Sequence, residues 1–587
     1  MCDDGARDDE RRLPRAVQDH ADAPIDGGGT PPATVAARRV HPDVTLLQPR
    51  AADPVPTGEE PPTPSDGSWT GHARNRLDAV VLLVVAVLGM TRLAFPFTGD
   101  QAMFTVGARA MRHGAVLYSG FWDIKQPGIY AFYLAAGTLG GFNEVSVHVV
   151  ELVTLLGFSY VLQRAGRGLF RTAWVASVLP LFIVGLYYAS ARPWELSQLE
   201  ALVGIPLFAS VWLALRAVDA RDGTRRGLLV ASGAAAAIAA LLKIVCLPLV
   251  GPAWIVAVVL MFRVDNGRGA KARLGRATTQ LGWIALGVAA PLAAVAGYFA
   301  AHGLWHEVTW TYFTYTPKTT SIAGRPLSRL TDAVGRFGAV WAPVLLLGAI
   351  GAAHHVRRGW DRWSLAFAGW IVVGVPVFLT QHWWPYQLQM FLVPVGFFAA
   401  RGTETLARSW RTLPRHIAAA TVTVLFVSAL PLAASAGKWT ASTARHGFGV
   451  TAAQRVALHD AVDTQYRTGR ELARFVQDHD PGRGPVYVLG NPIDLYLSGR
   501  AQAIPTNGWE AEQYDATLWR RIATGLDHAR PHVLVVDDFS AQKARERSPE
   551  TRDVVLRLYC PARRVAAETW YLRRAENACP TSLRPNI

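Results

Sequence analysis

Residues 95–133 read FPFTGDQAMFTVGARAMRHGAVLYSGFWDIKQPGIYAFY. The stretch follows an apolar segment and holds Asp100, Asp123 and Lys125 in a crowd of aromatic residues. It is too polar to span a bilayer and too apolar to be a loose loop, which reads as a catalytic loop lying on a membrane surface. Within it Met103, Val106, Ala110 and Met111 fall on one side of a helix, while Arg109 and Arg112 take another. That is the pattern of an interfacial amphipathic helix.

The surrounding chain supplies the membrane. Of 587 residues 51% are hydrophobic and only 18% charged, and the apolar residues gather into runs long enough to cross a bilayer. The runs lie near 77–95, 145–163, 172–189, 198–216, 227–242, 245–262, 279–300, 335–353, 363–380, 385–400 and 416–436. The formal charge of +15 would raise the question of nucleic acid in a soluble protein. Here the basic residues sit in short loops between the runs, where they orient the chain. Alternate loops carry Arg164, Arg167 and Arg171, then Arg216 to Arg226, Arg263 to Arg276, Arg357 to Arg362, and Arg401 to Arg415, whereas the short loops on the other side hold only Arg192 and Lys243. The alternation predicts an inside N-terminus, about eleven spans and an outside C-terminus. A weak run at 127–143 would invert every later loop if it crossed, so residues 96–144 read as one large external loop, and 301–334 as a second long external segment.

The two ends differ from the bundle. Residues 1–74, rich in Asp, Arg, Pro and Gly, read as a disordered cytoplasmic tail with no secretory signal. Residues 75–436 form the multispanning domain. Residues 437–587 contain short β-type runs, VYVLG and HVLVVDDF, between helical stretches, which predicts an exported α/β domain. Cys560 and Cys579 both fall in it and read as a disulfide, worth roughly 3 kcal/mol in the chain-entropy picture. The acids Asp537 and Asp538 read as a strand-end pair of structural use.

The run GDQAMFTVGARAMRHGAVLYSGFWDIKQPGIYAFY, the Arg-rich turn after it and the later YYASARPWELSQLE together resemble the GT-C superfamily of integral-membrane glycosyltransferases. More narrowly, they are similar to its family 39-like group, which includes protein O-mannosyltransferases and the lipid A aminoarabinose transferase. LLKIVCLPL resembles a Lys-Gly-Pro-like feature of that group, and YVLGNPIDLYLSGR a segment of its bacterial exported domains. Gln101 stands where many members have Glu. The resemblance implies a GT-C-like polytopic α-helical membrane protein that transfers a hexose or pentose. The donor would be a polyprenyl-phosphate-linked sugar and the acceptor an envelope glycan, lipid or protein outside the cell membrane. A divalent cation is the one cofactor left open, and no metal ligands are assigned.

That chemistry needs a base at the acceptor hydroxyl and positive charge on the departing phosphate. Asp100 is the expected base, with capping of the following helix as the rival reading. Lys125, Arg192 and Lys243 lie in three loops at one membrane level and are expected around the phosphate, against a plain interfacial role. Asp123 either joins the substrate site or fastens the loop. Glu195 is a further candidate for the substrate site, with Glu200 competing for the same match, and His382 is a candidate beside the phosphate. Two other classes stay open: a non-catalytic scaffold for envelope assembly, and a transporter of lipid-linked sugars.

Overall fold

The computed structural model describes residues 71–264, 269–574, 579 and 583–587. The expected tail therefore lies, up to residue 70, outside the described residues. Among these, eight helices are long and apolar enough to cross a membrane: Glu144–Gly166, Ala173–Ser190, Pro193–Ala217, Asp222–Leu242, Ile244–Arg263, Ala270–Ala301, Arg362–Leu379 and Arg415–Arg445. A further apolar pair is bent, with Leu327–Val340 turning by 79° into Ala342–Arg358, and has the length and composition of a ninth span or of a re-entrant loop. The helices Gly71–Met90 and Leu392–Ser409 complete the correspondence with the eleven apolar runs. Each carries three charges at one end, Arg74, Arg76 and Asp78 in the first and Arg401, Glu404 and Arg408 in the second, which shortens its apolar part. Leu83, Val153, Ile255, Val372 and Phe426 are exposed on the outer faces of the bundle, where lipid tails are their natural solvent.

Several boundaries move for local reasons. The first helix stops at Met90, and the chain turns through Thr91–Ala94 before Phe95. Pro180 has no N–H to give, and the helix widens into a π turn at Leu181–Gly185. The segment 301–334 is largely helical, with Trp305–Thr309, a π turn at Trp310–Tyr315, Thr316–Ala323 and the start of Leu327–Val340. The last span runs on to Arg445.

The loop after the first helix folds into two helices, Gly99–Arg112 and Pro127–Gly140. The second has 14 residues, about 21 Å of helix, too short for a hydrocarbon core of about 30 Å. It starts cleanly because Pro127 occupies the first turn, where its missing N–H costs nothing. Helix Gly99–Arg112 corrects the expectation of an amphipathic helix spread on lipid. Ala102, Met103, Phe104 and Val106 are buried against Pro127–Gly140 and against helix Pro492–Ser498 from the far end of the chain. Arg109 donates to the Arg500 carbonyl at 3.1 Å.

That far end holds a four-stranded sheet of β1 (Val486–Leu489), β2 (Val533–Asp537), β3 (Tyr559–Val565) and β4 (Glu568–Arg573). The order is β1-β2-β4-β3, with β1 and β2 parallel and the other pairs antiparallel. The parallel pair is linked by helix Ala516–Ala529, whose cap Asp515 accepts from the Thr517 and Leu518 amides at 3.0 Å each. Cys560 and Cys579 form a disulfide. Asp537 caps helix Asp538–Arg547 through the Ser540 amide at 2.6 Å, and Asp538 pairs with Arg564, so both acids are spent on structure.

A buried carboxyl cluster lies beside the strand ends. Gln465 Nε2 donates to both oxygens of Asp494 at 2.9 and 2.8 Å and to Glu568 at 2.6 Å. Burial first, and then the Glu568 carboxylate, push the Asp494 carboxyl well above the usual range. A group that holds its proton more tightly folded than unfolded stabilises the fold at low pH, and this contribution fades as pH rises toward the folded value. Asp494→Asn imitates the protonated acid. It is expected to flatten the fall in thermal midpoint between mildly acidic and mildly alkaline buffer; profiles parallel to wild type would refute this.

Candidate active site

The first loop, the ends of the spans and the C-terminal region meet around a cavity of about 400 Å³. Its walls include Asp100, Lys125, Glu200, Lys243, His382 and Glu510. Asp100 sits in the first turn of helix Gly99–Arg112, but Thr98 is the capping residue. The Asp100 carboxylate is engaged instead by Trp509 Nε1 at 3.0 Å and by the Tyr386 hydroxyl at 3.3 Å. Both are donors that orient a carboxylate without neutralising it. Gly99 makes the approach of Trp509 possible, since a Cβ there would lie 2.3 Å from the indole ring.

Lys125 donates to Glu510 at 2.9 Å, with both side chains largely buried. Burial opposes the ammonium, but the carboxylates of Glu510, Asp100 and Asp123 outweigh it and raise the Lys125 pKa. Burial also raises the Glu510 carboxyl, with Asp100 and Asp123 adding to it against the pull of Lys125. Three acids thus share one lysine. Glu510 holds its place with a left-handed backbone, φ 66°, an unusual conformation for a residue with a Cβ. Across the cavity Lys243 pairs closely with Glu200. His382 is pushed down to about 4 by burial and then by Lys125, Arg329, Lys243 and Arg325. At neutral pH it is an uncharged imidazole and brings no positive charge to an anion.

The cavity is also rich in acceptors. Glu200 Oε2, Gln381 Oε1 and Gln513 Oε1 are buried and have no hydrogen-bond partner among the described residues. Buried acceptors of this kind are costly unless a donor reaches them. No cluster of three His, Cys, Asp or Glu side chains among the described residues has the geometry to hold a metal ion.

No family model and no curated protein matches this sequence. Solved structures match in shape. The ArnT of Cupriavidus metallidurans bound to undecaprenyl phosphate aligns over 88% of this chain and 100% of its own, with TM-score 0.53 and 17% identity. Its apo form aligns over 85% and 98%, with TM-score 0.53 and 15% identity. The chain shares the fold of these ArnT structures.

Within this ArnT-like fold the remaining sequence candidates separate. Asp123 is 1% exposed, behind the cavity wall. It accepts from the Tyr130 hydroxyl at 2.7 Å and from Asn507 Nδ2 at 3.4 Å, while the neighbouring Trp122 amide donates to the Pro505 carbonyl at 2.8 Å. It ties the first loop to the C-terminal region. Arg192 and Glu195 are not brought to the cavity. The Arg192 guanidinium lies 5.2 Å from the Trp194 ring centroid, and Glu195 is buried in a two-pronged pair with Arg336. Of the two acids after the third span, Glu200 lines the cavity, and Glu195 braces the turn that leads to it. Tyr386, Trp509 and Glu510 escape the sequence reading, because nothing local links Asp100 to Tyr386, 286 positions away, or to Trp509 and its neighbour Glu510, with Trp509 409 positions away. The NGWE stretch at 507–510, a turn bearing an aromatic and an acid, is the signal on offer.

Gln101, where the resemblance leads one to expect Glu, has a physical reason to be an amide. It is fully buried, and Nε2 donates to the Pro193 and Leu196 carbonyls at 3.0 and 2.6 Å while Oε1 accepts from the Thr98 amide at 2.7 Å. A carboxamide donates and accepts at once, whereas a carboxylate can only accept. Gln101→Glu would set a carboxylate against two carbonyl oxygens and is expected to cost about 2 kcal/mol or more. A thermal midpoint equal to wild type in the purified variant would exclude that role.

Proposed function

We propose that the protein is a membrane glycosyltransferase that moves a hexosyl or pentosyl unit from a polyprenyl-phosphate donor to a glycan, lipid or protein of the cell envelope. The observation that carries this reading is the meeting of Asp100 with Lys125 and Lys243 on one cavity in a GT-C fold. Asp100, oriented by Trp509 and Tyr386, takes the proton of the acceptor hydroxyl as its oxygen attacks the anomeric carbon. The bond from that carbon to the phosphate oxygen breaks, the configuration inverts, and the lipid phosphate leaves with the electron pair. Lys125 and Lys243 stabilise the growing phosphate charge, exchanging their carboxylate partners for it. The open acceptors on Glu200, Gln381 and Gln513 suit the hydroxyl groups of a sugar. A neutral His382 adds a hydrogen bond rather than charge.

Deletion of the gene followed by glycan and lipid analysis of the envelope tests this function. Loss of one sugar from one acceptor is the expected result, and an unaltered envelope together with no transfer in vitro would overturn it. The same reading locates the protein in the cell membrane with the N-terminus cytoplasmic and the site outside. A reporter fused after Arg445 is expected to read as external, and a cytoplasmic signal would invert the topology.

A further inference from the structure

At the opposite end of the helices that wall the active cavity lies a second one, of about 580 Å³. Helix Arg362–Leu379 ends beside Thr380, Gln381 and His382 of the active cavity and begins at Asp361 of this one. Its 18 residues separate the two by about 27 Å. The basin is lined by Arg171, Arg358, Arg401 and Arg408, with Asp361 and Glu404 as its acids.

Both acids are already committed. Asp361 accepts from the Trp363 and Ser364 amides at 3.0 and 2.8 Å and pairs with Arg401 at 2.7 Å. Glu404 accepts from the Thr172 amide at 2.7 Å and pairs with Arg401 at 3.3 Å. Arg401 is therefore the fixed floor of the basin, held also against Phe170 and Phe397, and its Nε has no partner among the described residues. Arg171, Arg358 and Arg408 converge on the same space with no carboxylate partner among the described residues. Arg401, Thr405, Arg408 and Thr412 follow one another along one face of a helix and its end. Trp360 and Trp410 stand exposed beside the basin, as aromatic residues do where a bundle meets the bilayer surface.

We infer that this basin is a binding site for the phosphate of an anionic phospholipid headgroup. Three unpaired guanidinium groups offer forked donors that match phosphate oxygens. Their level beside exposed tryptophans favours a lipid over a free anion, and basic pockets between spanning helices recognise such headgroups. The site is distinct from the transfer cavity and does not depend on the reaction proposed for it.

The test uses the full chain purified in neutral detergent, with the thermal unfolding midpoint followed as short-chain phosphatidylglycerol is added. The same-chain phosphatidylcholine and inorganic phosphate form separate arms. Phosphatidylglycerol is expected to raise the midpoint and phosphatidylcholine is not. The variant Arg171→Gln, Arg358→Gln, Arg408→Gln, which leaves Arg401 and its pairs intact, is expected to bind on the order of a hundredfold more weakly, since each interfacial cation contributes several-fold. A control, Arg411→Gln with Arg415→Gln, removes nearby cations that do not line the basin and is expected to respond as wild type. A response to inorganic phosphate that equals the lipid's and is lost in the triple variant would keep the phosphate site and assign it to the free anion. A lipid response that survives in the triple variant, or that falls equally in the control, would overturn the proposal.

Discussion

Asp100→Asn is expected to abolish transfer from a polyprenyl-phosphate sugar, with turnover falling roughly 10²–10⁴-fold, the range of a positioned general base. The fold should survive. The carboxamide oxygen can still accept from Trp509 Nε1, and its nitrogen can donate to the Tyr386 hydroxyl, so the contacts now at 3.0 and 3.3 Å have substitutes. The measurement is single-turnover transfer by the purified variant, with its thermal midpoint recorded in parallel. Retained turnover excludes Asp100 as the base. Lost turnover with a lowered midpoint would mean that the residue serves structure. Trp509→Phe provides a useful contrast: it removes one orienting donor and should reduce turnover by less than loss of the carboxylate.

Lys125→Ala is the second large effect. Removing the ammonium takes a charged partner from the donor phosphate, an interaction of about 1.5–3 kcal/mol, so donor affinity should fall roughly 10- to 100-fold while acceptor affinity changes little. The same substitution strands Glu510 in a buried site, and breaking a buried pair costs about 3–5 kcal/mol. The double variant Lys125→Met, Glu510→Gln separates the two effects. If Lys125 binds the phosphate, stability returns in the double variant and donor affinity does not. Recovery of both would reduce Lys125 to the partner of Glu510.

The parts of this molecule that sequence reveals are those governed by period and sign. Apolar runs became helices because a bilayer demands internal hydrogen bonding over a fixed length, and arginine-rich loops mark one end of each. The same reasoning kept the run near 127–143 from being counted as a span, and helix Pro127–Gly140 is too short to be one. Lys243 and His382 were legible as loop residues at one membrane level with Asp100 and Lys125, and all four line one cavity. Arg192 satisfied the same criterion and went elsewhere, because level says nothing about direction around the bundle, and Trp194 offers its guanidinium an aromatic face. Glu195 and Glu200 differ only in where a turn points them. Helix Gly99–Arg112 shows the other limit: its apolar stripe predicts burial correctly, but whether lipid or protein covers that stripe depends on helix Pro492–Ser498, far along the chain.

Trp509 reaches Asp100 across a sequence separation of 409 residues, and Glu510 reaches Lys125 across 385. Contacts so distant along the chain close late in folding. The ribosome must therefore finish the last segment, and that segment must collapse onto the first loop, before the cavity has its full set of walls. A chain released before residue 509 would keep its helices, its loop and Tyr386 but lack Trp509 and Glu510, leaving Asp100 with one of its two orienting donors and Lys125 without its pair.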